Sequence, residues 1–97
     1  MKKETQSDFS QKLKTKRKVL DLIDQKLLTL LNQRLRIALE IGKIKKTMGK
    51  KIYDPKREKE VLERLKRKNI GPLKEEDLKI IFKTIMKICR QSQIQLP

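Results

Sequence analysis

Residues 11–48, QKLKTKRKVLDLIDQKLLTLLNQRLRIALEIGKIKKTM, decide the fold. Gly42 is the one Gly in this run, and no Pro interrupts it. Leu13, Leu20, Leu27, Leu31, Ala38, Ile41 and Met48 recur at helical spacing. Leu, Lys, Gln and Arg, all good helix formers, dominate, and one internal Gly costs only about 1 kcal/mol. The stretch predicts one very long helix, closed by Gly49. At 1.5 Å per residue it extends for about 57 Å, against a radius of gyration near ~13 Å for a compact domain of this size.

Two shorter helices follow. Tyr53-Asp54-Pro55 is a start signal, with Asp as N-cap and Pro at the first helical position. The second helix runs to about Lys68 with Val61, Leu62 and Leu65 inward, and Asn69-Ile70-Gly71-Pro72 stops it. The third begins near Lys74, where Glu75, Glu76 and Asp77 suit the positive helix terminus. It continues to about Gln95 with Leu78, Phe82, Ile85, Cys89 and Leu96 on one stripe. The expectation is an all-α, three-helix protomer over residues 11–97, preceded by a flexible segment, 1–10. Two helices this short cannot cover so long a rod, so a second copy of the chain is expected to lie antiparallel against it as an intertwined homodimer.

Composition narrows the chemistry. The 97 residues are 36% hydrophobic and 40% charged, with 27 Lys and Arg against 12 Asp and Glu, a net charge of +15. Such a field draws in anions without selecting among them. Three scattered aromatics, Phe9, Tyr53 and Phe82, supply no base-stacking platform. The basic run Lys12, Lys14, Lys16, Arg17, Lys18 reads first as a solvated helix face, with duplex nucleic acid as the rival reading. The absence of His and the single Cys exclude common zinc sites and His-activated nucleophiles, so no metal or cofactor is expected. A lone Cys89, no signal-peptide run in residues 1–10 and no spanning segment argue for the cytoplasm and against a membrane.

Charges stand where the helical seam calls for leucines. Stepping by three and four, the seam reads Arg17, Leu20, Asp24, Leu27, Leu31, Arg34, Ala38, Ile41, Lys45, Met48. A cation on a buried seam snorkels, pairs with an acid or meets an anionic ligand. Arg34 and Lys45 lie about 16 Å apart along the axis and only ~20° around it, so both can grip one small anion. Arg17 is about 25 Å further back and roughly 100° away, outside the reach of its own chain's pair. In an antiparallel dimer it reaches the partner's pair if the dyad falls near Leu28, inside the apolar run Leu27-Leu28-Thr29-Leu30-Leu31. Glu58 shares the face of Val61, Leu62 and Leu65, and Gln93 lies on the stripe of Phe82 and Cys89. Either suits an ordinary boundary position as well as a site. Arg57 suits a solvated position, and Asp54 is accounted for as a cap.

The strings LDLIDQKLLTLLNQR (20–34), ALEIGKIK (38–45), YDPKREKEVLERL (53–65) and GPLKEEDLKIIFKTIMKICRQSQ (71–93) resemble the all-helical, class II chorismate mutases in order and spacing. The likeness covers about residues 17–95 and rests on the joint pattern of Arg17, Arg34, Lys45, Asp54, Arg57-Glu58 and Gln93. It implies an interlocked dimer with two equivalent sites that convert chorismate to prephenate, on the branch toward phenylalanine and tyrosine, by an intramolecular Claisen rearrangement. The resemblance places the partner's Arg17 and Arg34 on the substrate carboxylates. Lys45 and Gln93 would donate to the ether oxygen. Glu58 would accept from the ring hydroxyl beside the Asp54 backbone, with Arg57 at the rim. Where relatives often carry Ser, this chain has Cys89, a weak donor better suited to packing. Isochorismate pyruvate lyases resemble the same fold but typically lack the Arg-Glu pair present here as Arg57-Glu58. A non-catalytic regulatory domain on the same scaffold is the remaining alternative.

Overall fold

The computed structural model describes residues 5–97 and contains three helices, α1 (Gln6–Thr47), α2 (Pro55–Lys68) and α3 (Glu75–Ile94). There is no strand among the described residues. α1 begins at Gln6, five residues before the expected start at Gln11, because Thr5 and Asp8 cap it reciprocally. The Thr5 hydroxyl accepts from the Asp8 amide at 3.2 Å, and the Asp8 carboxylate accepts from the Thr5 amide at 3.1 Å. Helix therefore occupies part of the segment expected to be flexible, while residues 1–4 lie outside the described residues.

The helix ends are set by local chemistry. Gly49 closes α1 at φ +68, a conformation that favours Gly. The Lys50 amide donates to the Lys45 carbonyl at 2.8 Å and the Gly49 amide to Lys46 at 3.1 Å, so two end carbonyls are satisfied. The Asp54 carboxylate accepts from the Arg57 amide at 3.0 Å and caps α2, whose bounds match the expectation. Beyond α2, Asn69 organises the turn. Its side chain donates to the Leu73 carbonyl at 2.8 Å and accepts from the Gly71 amide at 3.0 Å. Lys66 adds contacts to Glu63 and Glu75, which raise its pKa above the ordinary 10.5, the Glu63 charge contributing most.

The chain divides into two units, Met1–Arg34 and Leu35–Pro97. In the first, every described residue through Gln33 is exposed, including Leu20, Leu27, Leu28 and Leu30. The second holds the core. Val61 and Leu62 of α2 pack with Met86 of α3, and Leu65 and Phe82 close around them. Met86 stands one residue beyond the expected Ile85, which is itself half-buried. From α1 this unit buries Ala38 and Gly42 and half-buries Leu35, Leu39 and Lys45. Ile41 and Met48, expected inward, remain 43% and 60% exposed.

Candidate active site

The second unit gathers the candidate polar residues from all three helices. Lys45, half-buried near the end of α1, donates from Nζ to the Ile52 carbonyl at 2.9 Å, tying the α1 end to the segment before α2. Gln93 is the one buried polar residue among those described, at 8% exposure. Its Nε2 donates to the Ala38 carbonyl of α1 at 2.6 Å, bridging α3 to α1. Lys45 follows Ala38 by two helical turns and so lies on the same face of α1.

Glu58 is half-buried and bonded to Arg90 of α3 at 2.5 Å. The Arg90 guanidinium also stacks over the Tyr53 ring, 4.4 Å from its centroid. Asp54 and Arg57 are exposed, and their link is the helix cap. Cys89 is buried and carries no disulfide, consistent with packing. Arg17 and Arg34 belong to the first unit, Arg17 exposed and Arg34 half-buried at its end. Lys45, Asp54, Arg57, Glu58, Cys89 and Gln93 thus all belong to the second unit, and the two arginines to the first.

The sequence does not single out Arg90, and it offers Tyr53 only as a scattered aromatic beside the α2 cap. Arg90 precedes Gln93 by three residues and therefore shares its face of α3, a signal present in the sequence. Its pairing with Glu58, 32 residues away in the chain, is not. Among the described residues no group of three or more His, Cys, Asp or Glu is placed to hold a metal ion. No helix there is long and apolar enough to cross a membrane.

An all-helical chain with a long first helix, and with basic and amide groups set into a thin core, is the architecture of a known class. The model of the family described as chorismate mutase type II matches residues 16–94. The Thermus thermophilus chorismate mutase structure (Form II) superposes with a TM-score of 0.85 at 34% identity, over 87% of this chain and 96% of that one. The Helicobacter pylori chorismate mutase structure, in complex with prephenate, gives a TM-score of 0.79 at 37% identity over 88% and 97% of the two chains. The bifunctional chorismate mutase/prephenate dehydratase of Aquifex aeolicus is 37% identical over 83 residues, 81% of this chain and 23% of that protein. The chain thus spans about a fifth to a quarter of the length of the bifunctional relatives it matches. It belongs to the chorismate mutase type II family.

Proposed function

We propose that this chain converts chorismate to prephenate by an intramolecular Claisen rearrangement, as an antiparallel, intertwined homodimer in the cytoplasm. The observation that carries the reading is the Helicobacter pylori relative, which shares the fold over 88% of this chain and is a chorismate mutase with prephenate bound. A unimolecular rearrangement needs no nucleophile, and the chain has no His to activate one.

The surface supports the dimer. In the first unit Leu20, Leu27, Leu28 and Leu30 are each more than half exposed. That apolar surface is what a second copy would cover. With the dyad near Leu28, the partner's Arg17 joins Arg34 and Lys45.

In the reaction, the partner's Arg17 and Arg34 hold the two carboxylates and favour the compact conformer. As the C–O bond breaks, charge grows on the ether oxygen, where Lys45 and Gln93 donate. Glu58 accepts from the ring hydroxyl beside the Asp54 backbone. Arg57 supports the rim, and Cys89 packs behind the site. Lys45 has two N–H bonds beyond the one given to Ile52, and Glu58 keeps Oε1 outside its bond to Arg90.

Incubation of purified protein with chorismate, and separately with isochorismate, tests the assignment. Prephenate from chorismate is the expected product. Pyruvate from isochorismate without prephenate formation would reject it in favour of a lyase.

A further inference from the structure

Gly42 is the one glycine at which an added Cβ would meet neighbouring atoms. It and Ala38, one helical turn apart, are the two buried positions of α1. The end of α3 crosses them closely. A Cβ at position 42 would stand 2.9 Å from Gln93 Cγ, 3.1 Å from Gln93 Cβ and 3.0 Å from Leu96 Cδ1. The Leu96 methyl could swing aside. Gln93 Cβ is fixed to the α3 backbone, so the end of α3 itself would have to move. Lys46, one helical turn beyond Gly42 on the same face of α1, also holds that end, donating from Nζ to the backbone oxygens of Leu96 and Pro97.

Over this gap the Gln93 amide meets the Ala38 carbonyl at 2.6 Å. A carbonyl oxygen has two lone pairs, so Ala38 can accept this bond alongside its helical one. The contact settles which end of the amide faces α1: nitrogen, not oxygen. One of the two N–H bonds is thereby committed, and the direction of the other follows from amide planarity.

We infer that Gly42 is a positioning residue for Gln93: the space left by its missing side chain seats the amide on the Ala38 carbonyl, and the seat aims the second N–H. This rests on the proposed mutase activity for its consequence, since the aimed N–H is the donor to the ether oxygen. The seat itself is independent of that activity.

Helix propensity opposes this role, because Ala is a better helix former than Gly. If Gly42 only tolerated its place in α1, Gly42→Ala would be harmless or stabilising. The inference gives the opposite result for turnover. Misplacing one donor by a fraction of an ångström to 1 Å costs up to about a hundredfold in rate. A donor that acts in the transition state changes kcat and leaves KM nearly alone.

The experiment measures kcat and KM for the wild type, Gly42→Ala, Gln93→Ala and the double variant, with helicity followed by circular dichroism. Gly42→Ala should lower kcat about ten- to a hundredfold at nearly constant KM, and should change kcat less than about threefold once Gln93 is Ala. In isotope-labelled wild-type protein, one Gln93 side-chain amide proton should be protected from solvent exchange and its partner should exchange freely. Wild-type kcat in folded Gly42→Ala, fully multiplicative losses, or equal rapid exchange of both amide protons would each overturn the inference. The exchange measurement decides the seat even where the variant fails to fold. A wild type without chorismate turnover would remove the proposed function and leave the seat to that measurement.

Discussion

Replacing Leu28 with Lys tests the dimer at its proposed centre. Leu28 is 61% exposed in the single chain. Burying a whole Leu side chain is worth about 1.5–3 kcal/mol, so covering the exposed 61% contributes about 1–2 kcal/mol. A residue at the dyad is lost twice per dimer, which makes about 2–4 kcal/mol, or about 30-fold to nearly a thousandfold in the dissociation constant. Two lysines facing each other add like-charge repulsion in a chain already at +15. Lys is a good helix former, so α1 should persist and the effect should be confined to association. Sedimentation velocity across a concentration series measures the shift, with chorismate turnover assayed at the same concentrations. Ile70→Lys is the control, because Ile70 is 99% exposed in the turn after α2. Activity of Leu28→Lys should fall on dilution and recover on concentration, in step with the dimer population. Parent and variant dissociating at the same concentration, or full activity in a demonstrated monomer, would refute the reasoning.

Three further outcomes follow from the same structure. Inactive Arg17→Ala and inactive Arg34→Ala chains, mixed and allowed to exchange, should recover about one intact site per heterodimer; no recovery despite proven exchange counts against the shared site. Leu62→Ala, in the core against Met86, should cost about 2–5 kcal/mol in urea unfolding at fixed protein concentration, and a loss under about 1 kcal/mol would mean the core repacks. Thr5 holds the Asp8 carboxyl below its ordinary value of 3.8, chiefly through the backbone bond, so the cap's contribution is present above 3.8 and lost as pH falls through the lowered value. The protection of the Phe9 amide relative to its intrinsic exchange rate should report that loss, because its N–H bonds the Thr5 carbonyl, and Asp8→Asn should remove the pH dependence of that protection.

The three helices were legible because their signals are local. Asp54-Pro55, Gly49 and Asn69 act within four residues of themselves, and the caps observed at each are the bonds those residue types ordinarily make. The start of α1 was missed because Thr5 and Asp8 lie in a polar stretch without apolar periodicity, although their spacing is a cap signature. The seam marks α1 as helical without saying which neighbour covers each of its positions. A 3.6-residue period shows that a stripe is apolar and cannot tell an intrachain neighbour from a second copy. Ala38 and Gly42 found their neighbour in α3; Ile41 and Met48 did not. The Glu58–Arg90 pair was invisible for a related reason, since it depends on how α2 meets α3 and not on spacing within either.

The polar residues of the second unit share one property that connects the thinness of the core to the chemistry. With few apolar residues to bury, the unit cannot afford a charged or amide group in a half-buried place without a partner. Lys45 is anchored by Ile52, Gln93 by Ala38 and Glu58 by Arg90, one bond each. Each group also has more hydrogen-bonding capacity than its anchor uses. An anchor of this kind removes rotamer freedom in advance, so under the proposed function the remaining donor or acceptor is already oriented when substrate binds. The same bonds that make these residues tolerable to a small fold therefore supply the preorganisation that the proposed rearrangement requires. Gln93, the most buried of them, is also the one whose direction depends on a missing Cβ in another helix.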